Sequence, residues 1–461
     1  MNFKKKFIGD RAFYSMVLAL AVPVMIQNGI TNFVGLLDNI MVGQVGTEQM
    51  SGVAIANQLV FVFNLCVFGG VSGAGIFGAQ FFGKGDSDGV RDILRIKLWL
   101  ALVLSVAAGV VFTFWGEPLI SLFLHEGSES GDLAATLLYG KQYLSLMRLL
   151  LVPFALVQAY ASTLRETGET KLPMQAGVVA VLVNLVFNYL LIYGKLGFPV
   201  LGVQGAAIAT ILSRIVEAAI VIAWTHRNRE RNPFAVGLYR TLRVPSALLG
   251  QVAVKGSPLL VNEALWSMAM TMLAQCYSLR GLAVVAAVNI TSTITNLFNI
   301  VFMSLGSSIG IIVGNLLGAG RMREARDADN KLIAFSVASC LLVGAIMAVV
   351  APLFPRLYNT TDEVRRLAES MILISAAIMP FHAFTHATYF TLRSGGKTFV
   401  TFLFDSVFVW AVNVPIAFVL SRFTGLPILP LFAVCQSIEI LKSFIGYFFV
   451  RSDVWMQNIV G

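Results

Sequence analysis

Residues 13–42 read FYSMVLALAVPVMIQNGITNFVGLLDNIMV, an apolar stretch that holds a single charged side chain, Asp38. A helix of this length can cross a hydrocarbon core of about 30 Å. A carboxylate inside such a segment is costly, and membrane proteins keep one mainly on an ion or substrate pathway. Asp38 is therefore the first candidate functional residue of the chain.

Similar stretches recur through all 461 residues, of which 57% are hydrophobic and only 12% are charged. They do not alternate apolar and polar residues with a period of two, which argues against a transmembrane β-barrel. We predict an all-α polytopic membrane protein with twelve transmembrane helices. The predicted spans are 13–42, 50–82, 92–115, 133–163, 172–194, 202–225, 249–278, 284–317, 329–352, 365–392, 397–421 and 428–450.

The basic residues are unevenly distributed between the two ends of these spans. Clusters at 4–6, 91–97, 227–243 and 321–331 all fall on the side of the N-terminus, whereas the opposite side holds few Lys or Arg residues. By the positive-inside rule, both termini are expected in the cytoplasm, with the chain in a bacterial inner membrane. The net charge of +9 then reflects inner loops and not a nucleic-acid-binding surface. The first stretch lacks a small-residue cleavage site, so we interpret it as a retained helix and not as a signal peptide.

The chain repeats two motifs in the same order. Gln80–Gly85 (QFFGKG) near the end of span 2 recurs as Asn315–Gly320 (NLLGAG) near the end of span 8. Thr163–Thr170 (TLRETGET) after span 4 recurs as Thr391–Thr398 (TLRSGGKT) after span 10. The two separations are nearly equal, which indicates a duplicated six-helix unit.

This duplication predicts the domain organisation. The predicted parts are an N-lobe (1–225, spans 1–6), a cytoplasmic linker (226–248) and a C-lobe (249–461, spans 7–12). Both halves begin on the same side of the membrane, so the repeat is parallel and its axis runs along the membrane normal. Two such lobes can rock against each other, which is the geometry of alternating access.

Several motifs resemble the multidrug and toxic compound extrusion (MATE) family. They are Asp38–Gly43 (DNIMVG), the glycine-rich end of span 2, Leu164–Gly168 (LRETG) and Gly205–Thr210 (GAAIAT). The resemblance covers nearly the whole chain, including its length, span count and repeat. It implies two pseudo-symmetric six-helix lobes that export organic cations and other drugs, driven by inward flow of protons or sodium ions.

The resemblance also assigns a polar cluster to the N-lobe. Asp38 matches the family's acid on the first helix, Asn184 and Asn188 match a polar pair on span 5, and Thr210 matches a hydroxyl on span 6. DinF-like members often carry Asp where this chain has Asn188. The i, i+4 spacing places both asparagines on one helix face. Such oxygen ligands suit either a proton or a sodium ion, and the alternative is polar bonding between helices.

A second set of candidates lies in the C-lobe. Glu263 matches an acid typical of NorM-like members, and His382 stands where those members have an Asp, so the chain mixes features of both subfamilies. Asp405 on span 11 is a further ion or substrate candidate, and Trp266 can stack on a flat cation. The weaker cavity candidates are Asn289 and Asn296 on span 8. These two residues and Asn299 can instead supply structural hydrogen bonds to Glu263.

The other charged and histidine residues within the spans have simpler interpretations. His386 lies one turn after His382, and with no third ligand nearby in sequence the pair predicts a proton relay, cavity lining or a buried structural role. We interpret Arg214 with Glu217, and Glu439 with Lys442, as i, i+3 pairs that neutralise each other. Lys141 and Arg148 on span 4 have no obvious local partner and are attributed to cavity lining or snorkelling.

Enzymatic chemistry is not predicted. Gly78–Lys84 (GAQFFGK) is similar to a phosphate-binding loop, but Gly85 replaces the Ser or Thr that would hold magnesium. The four cysteines fall in apolar spans without a pairing signature, so disulfides and zinc are not expected.

The sequence therefore predicts a secondary active multidrug efflux antiporter that exchanges protons or sodium ions for amphipathic, cationic compounds. We expect a monomer in the lipid bilayer, no prosthetic cofactor, no nucleic-acid partner and no metal beyond sodium at the Asp38 cluster. The alternative is a flippase for a lipid-linked precursor, which a wide and strongly basic cavity would favour. A third class, a membrane scaffold or receptor without transport activity, is disfavoured by the acids within the spans and by the repeat.

Overall fold

The computed structural model describes residues 7–122 and 132–461, with the side chains of residues 34–37, 39, 40 and 47 excepted. The basic residues 4–6 used for the orientation lie outside this range. The helices are α1 (Arg11–Gly43), α2 (Thr47–Lys84), α3 (Ser87–Phe114), α4 (Gly116–Ser121), α5 (Leu133–Met147), α6 (Leu151–Glu166), α7 (Lys171–Tyr193), α8 (Val203–Arg227), α9 (Ser246–Ser278), α10 (Leu282–Gly318), α11 (Met322–Val350), α12 (Asp362–Ser394), α13 (Thr398–Phe402), α14 (Val414–Phe423) and α15 (Ile428–Arg451).

The helices form twelve long segments, one at each predicted span. A 3₁₀ turn at Arg148–Leu150 joins α5 to α6, and π-helical turns at Leu403–Val407 and Val409–Asn413 join α13 to α14. The described part of the chain contains no β-strand. Helices are favoured because lipid offers no hydrogen bonds to the backbone, so each segment must satisfy its own peptide groups. The prediction of an all-α protein with twelve transmembrane helices is confirmed.

Eleven of the segments are long and apolar enough to cross a membrane by length and composition. The twelfth is α9, which carries Lys255, Asn262 and Glu263 within one helix. Its length of 33 residues is still sufficient for a crossing. Because lipid cannot solvate these polar side chains, we expect them to be bonded by other residues of the protein.

The chain divides into two compact units, which we call unit N and unit C. Unit N comprises Ile26–Gly78 and Asp86–Val252, and unit C comprises Ala253–Gly461 with Ala79–Gly85 and the chain up to Met25. The lobe boundaries inferred from the repeat stay a prediction.

Each unit has its own apolar core. In unit N, Val53 and Val60 of α2 pack with Tyr143 of α5 and Ile211 of α8. In unit C, Leu273, Ile290, Met371 and Phe432 bring together α9, α10, α12 and α15.

The segment predicted as a linker is bound along α3 in unit N. Arg95 donates to the carbonyl oxygens of Gly237 (2.9 Å) and Leu238 (3.0 Å), and Trp99 Nε1 donates to Leu242 O at 3.0 Å. The linker carbonyl groups lie outside regular helices, so these side chains supply the hydrogen bonds that a helix would otherwise provide. The linker therefore follows a defined path on unit N.

The repeated motif has a structural role in unit C. A Cβ atom at Gly83 would overlap the backbone of Asn315, and one at Gly318 would overlap the backbone of Gln80. The end of α2 and the end of α10 thus cross in direct backbone contact, and only glycine permits this approach. The glycine near the end of the Gly78–Lys84 motif is therefore explained by helix packing and not by phosphate binding.

Candidate ion and substrate sites

The four N-lobe candidates form one chain of hydrogen bonds in unit N. Asn188 Nδ2 donates to Asp38 Oδ1 at 2.5 Å and to Asn184 Oδ1 at 3.1 Å. Asn184 Nδ2 donates to Thr210 Oγ1 at 3.3 Å, and Thr210 Oγ1 donates to Ala206 O at 2.9 Å. The structure thus brings together residues of α1, α7 and α8 that the sequence resemblance had assigned to one cluster.

One hydrogen-bond acceptor of this cluster, the side-chain oxygen of Asn188, has no donor among the described residues. Asn188 is fully buried, and its Oδ1 atom has no hydrogen-bond partner within the described residues. A buried acceptor without a donor costs about 1–3 kcal/mol, so such atoms usually have a functional or ligand-related explanation. Next to the half-buried Asp38, this oxygen can contribute to holding a cation.

Two neighbours of the cluster were not found from the sequence. The buried Tyr143 of α5 interacts with Asn57 of α2 and with Thr210. The only signal for it would have been a tyrosine within an otherwise apolar face, which is too common to single out. Tyr143 therefore connects the hydroxyl end of the cluster to two further helices.

The predicted pair of Arg214 with Glu217 is present in unit N. Arg214 NH1 lies 2.6 Å from Glu217 Oε2, and the Glu217 side chain is buried. The guanidinium also lies over the Phe154 ring, 5.8 Å from its centroid. Because Arg214 follows Thr210 by one helical turn, a fixed positive charge stands close to the Asp38 cluster.

In unit C, Glu263 is bonded by a tyrosine. Tyr389 on α12 donates its hydroxyl to Glu263 Oε1 at 3.2 Å. The alternative hydrogen bonds to Asn289, Asn296 and Asn299 are not found among the described residues, and Asn289 and Asn296 are exposed. That alternative was wrong because the facing polar group comes from α12 and not from α10.

Asp405 is bound by a lysine. Lys442 Nζ donates to Asp405 Oδ1 at 2.8 Å, and Asn262 Nδ2 donates to Asp405 Oδ2 at 3.0 Å. The lysine side chain is buried. Asp405 lies in the π-helical turn Leu403–Val407, and such turns occur frequently at functional sites.

Lys442 forms the expected pair with Glu439 only at long distance and has a closer partner. The i, i+3 partner Glu439 lies 4.0 Å from Lys442 Nζ, whereas the distance to Asp405 is 2.8 Å. Glu439 instead accepts from Thr385 Oγ1 at 2.9 Å. Because the lysine side chain is long, its ammonium group reaches Asp405 on the segment that joins α13 to α14 and lies closer to it than to Glu439 on its own helix.

The two histidines have different polar and aromatic partners but share one neighbouring ring. His382 Nε2 lies 3.3 Å from Gln436 Oε1, and its Nδ1 lies 3.9 Å from Glu439 Oε2. His386 is stacked parallel to Tyr389 at 6.0 Å between ring centroids. Both rings also contact Phe302, with ring centroids 6.3 Å from His382 and 5.2 Å from His386, so the pair shares one aromatic neighbour and differs in its other contacts.

The remaining candidates lie at exposed positions. Trp266 is 40% exposed, and Asn296 is also exposed. Asn289 lines a small cavity of about 280 Å³ together with Thr293 and Tyr358. In the part of the chain that the structure describes, no three His, Cys, Asp or Glu side chains are grouped as metal ligands, and the four cysteines are free thiols.

Comparison with known proteins places the chain in a family. The profile of the family described as MatE matches residues 23–190 and 258–419, which is most of both halves. The chain belongs to the MATE family. The resemblance of the motifs is thereby confirmed, and the members of this family and its relatives are transporters.

Relatives of this MATE chain are similar along most of their length. The probable multidrug resistance protein NorM of Thermotoga maritima is 24% identical over 96% of this chain and 93% of its own. The multidrug resistance protein PmpM of Pseudomonas aeruginosa is 26% identical over 89% of this chain and 84% of its own.

Solved structures have the same fold. The crystal structure of MATE in complex with MaL6 has a TM-score of 0.83 at 20% identity and covers 98% of both chains. The outward-facing structure of a multidrug resistance MATE transporter of the MOP superfamily has a TM-score of 0.82 at 19% identity, covering 95% of this chain and 96% of its own. The chain therefore has the two-lobe, twelve-helix MATE fold.

Proposed function

We propose that this chain is a multidrug efflux antiporter that exports amphipathic, cationic compounds in exchange for protons or sodium ions. The names of its relatives NorM and PmpM support export of several drugs. The observation that supports ion coupling is the set of hydrogen-bonded polar residues at Asp38. Beside it lies the buried oxygen of Asn188, which has no partner among the described residues. A site of this composition changes its charge when it takes up a cation.

Ion binding at Asp38 biases the conformational equilibrium of the lobes. The carboxylate accepts a hydrogen bond from Asn188 while it is charged, and a proton or sodium ion at the same oxygens changes that bond. A ligand shifts such an equilibrium only by its different affinity for the two states. The coupling ion therefore binds one conformation more tightly, and the drug binds the other.

Glu263 is the candidate for attracting the drug in unit C. Within the described residues it is bonded by a neutral tyrosine and forms no ion pair, whereas Asp405 is bound by Lys442. Arg393 acts on Glu263 electrostatically, whereas Asp405 is in direct contact with an ammonium group, so Glu263 retains more of its attraction for an organic cation. His382 and Asp405 line the same polar region as supporting residues, and Trp266, Asn289 and Asn296 are weaker candidates for the cavity wall.

The experiment is export of ethidium from liposomes that contain the purified full-length protein. A proton gradient and a sodium gradient are imposed separately, and export driven by only one of them identifies the coupling ion. Asp38→Asn should abolish ion-driven export, while Glu230→Gln, which removes an exposed acid of the linker, should leave it unchanged. Folded protein that moves no ethidium under either gradient would contradict the proposal and favour the flippase alternative.

We also propose that the protein works as a monomer in the inner membrane with both termini in the cytoplasm. The clustered basic residues at 227–243 and 321–331 support this orientation. Cysteine labelling from the two sides of the membrane tests it, and labelling of the 227–243 segment from outside would contradict it.

A further inference from the structure

Unit N contains a cavity of about 510 Å³ at the end of α3, and none of the residues assigned to transport lines it. Its walls come from the end of α3, the short helix α4 and the second half of α5, with Arg148 directly after α5. Cavities of roughly 300–1,000 Å³ are typical of small-molecule sites. Two of its lining side chains are Lys141 and Arg148, the basic residues for which the sequence offers no local partner.

The depth of this cavity in the membrane follows from helix lengths. Lys97 on α3 donates to both carboxylate oxygens of Glu166 on α6 at 2.7 Å, so these two residues lie at one level. At a rise of 1.5 Å per residue, Thr113 lies roughly 24 Å along α3 from Lys97, and Arg148 lies roughly 27 Å from Glu166. Arg148 NH1 donates to Thr113 Oγ1 at 2.8 Å, so the distances measured along α3 and along α6 end at the same depth. That distance is close to the hydrocarbon thickness of about 30 Å.

Aromatic residues indicate the same boundary. Trp99 and Trp115, one near each end of this stretch, are both exposed. Trp side chains concentrate at the two interfaces of a membrane. Between them α3 presents a continuous exposed apolar stripe that ends at Phe114, which is 72% exposed and lines the cavity. The stripe comprises Leu102, Val103, Val106, Val110 and Phe114.

The charges in the cavity are unbalanced. Lys141 Nζ lies 2.6 Å from Glu117 Oε2, whereas Arg148 donates to Thr113 and, through Nε at 3.0 Å, to Ser145 O. Among the described residues no acid forms an ion pair with Arg148. Counting only the described residues that line the cavity, two cations and one carboxylate leave one excess positive charge at the level where lipid headgroups are expected. A guanidinium is well suited to bind a phosphate through two parallel hydrogen bonds.

We propose that this cavity binds the phosphodiester headgroup of an anionic phospholipid from the surrounding bilayer. Arg148 and Lys141 bind the phosphate, and the acyl chains lie on the apolar stripe of α3 below Phe114. With the expected orientation, the lipid comes from the outer leaflet. The proposal is independent of the coupling ion and of the exported drug.

The test uses the purified full-length protein in detergent, with lipid binding followed by native mass spectrometry. Phosphatidylglycerol should be retained more strongly than phosphatidylethanolamine, because it carries a net negative charge. Glycerol 1-phosphate, which lacks acyl chains, should bind much more weakly. Arg148→Gln and Lys141→Gln should each weaken phosphatidylglycerol binding about tenfold, as expected for the loss of one charge-assisted hydrogen bond.

Two further variants keep the test decisive. Lys195→Gln removes an exposed basic residue of the same unit, outside the cavity, and should not change lipid binding. Glu117→Gln removes the only described acid of the cavity and should strengthen phosphatidylglycerol binding, the opposite direction to a general loss of folding. The proposal is overturned if the four variants bind alike, if the two lipids bind equally, or if glycerol 1-phosphate binds as tightly as phosphatidylglycerol.

Discussion

The two units differ in the groups that bond their buried or half-buried carboxylates. In unit N, Asp38 is bonded by an amide, and the next groups along the chain are another amide and a hydroxyl. In unit C, Asp405 is bonded by the ammonium group of Lys442 at 2.8 Å. The first acid has neutral dipoles as its direct partners, whereas the second has a cation attached to the protein itself.

This difference assigns different tasks to the two acids. A carboxylate bonded by an amide can exchange its charge state with a mobile cation, because among the described residues no Lys or Arg forms an ion pair with it. A carboxylate paired with a buried lysine is already neutralised, and removal of either partner leaves an uncompensated charge. We therefore expect changes at Asp38 to affect transport and changes at Lys442 to affect folding.

The largest effect is expected for Asp38→Asn. Ion-driven ethidium export should fall to the level of protein-free liposomes, because the only carboxylate of the cluster is lost. The melting temperature should change little, since the substituted amide still accepts the hydrogen bond from Asn188. Export at the normal rate in this variant would remove the distinction between the two clusters.

Lys442→Met should cause the largest loss of stability. It leaves Asp405 buried with only the Asn262 hydrogen bond, and breaking a buried pair in this way costs about 3–5 kcal/mol. Reversible unfolding in mixed detergent measures the change. The double variant Lys442→Met with Asp405→Asn removes both charges and should recover most of the loss; a double variant as unstable as the single one would contradict this account.

A smaller effect is expected for Asn188→Leu. The substitution removes the donor to Asp38 and the bond to Asn184, with a cost of about 1–3 kcal/mol. Export should also slow, because a cation at Asp38 loses a neighbouring oxygen. Asn228→Leu, which removes the amide bond to Trp224 O at the end of α8, is the matched control for export. Equal export by both variants would show that Asn188 serves packing alone.

The smallest effect is expected for Tyr389→Phe. One neutral hydroxyl is lost from Glu263, which corresponds to about 0.5–1.5 kcal/mol. The apparent KM for ethidium should change more than the melting temperature does. If the melting temperature falls as far as in Lys442→Met, then Glu263 belongs with the structural charges and not with the substrate site.

Part of the site was predictable and part was not. The Asp38 cluster was found because its four residues match family motifs, although Asp38 and Asn188 are 150 residues apart. The pairing of Lys442 with Asp405 was missed, since a local partner at i, i+3 was available and local rules favour it. Tyr143 and Tyr389 were missed because a single tyrosine on an apolar helix carries no distinctive pattern.

The sequence by itself determined the twelve helices, their order and the duplicated plan. In lipid each segment must satisfy its own backbone hydrogen bonds, so hydrophobic length defined eleven of the helices, and the repeat supported the more polar α9. Only the tertiary structure decided which polar side chains meet, because the partners come from helices that are distant along the chain. It placed Lys442 on Asp405, left Asn188 Oδ1 without a donor, and brought Gly83 against Asn315. Each of these contacts depends on the approach of two helices, which hydrophobic periodicity does not encode.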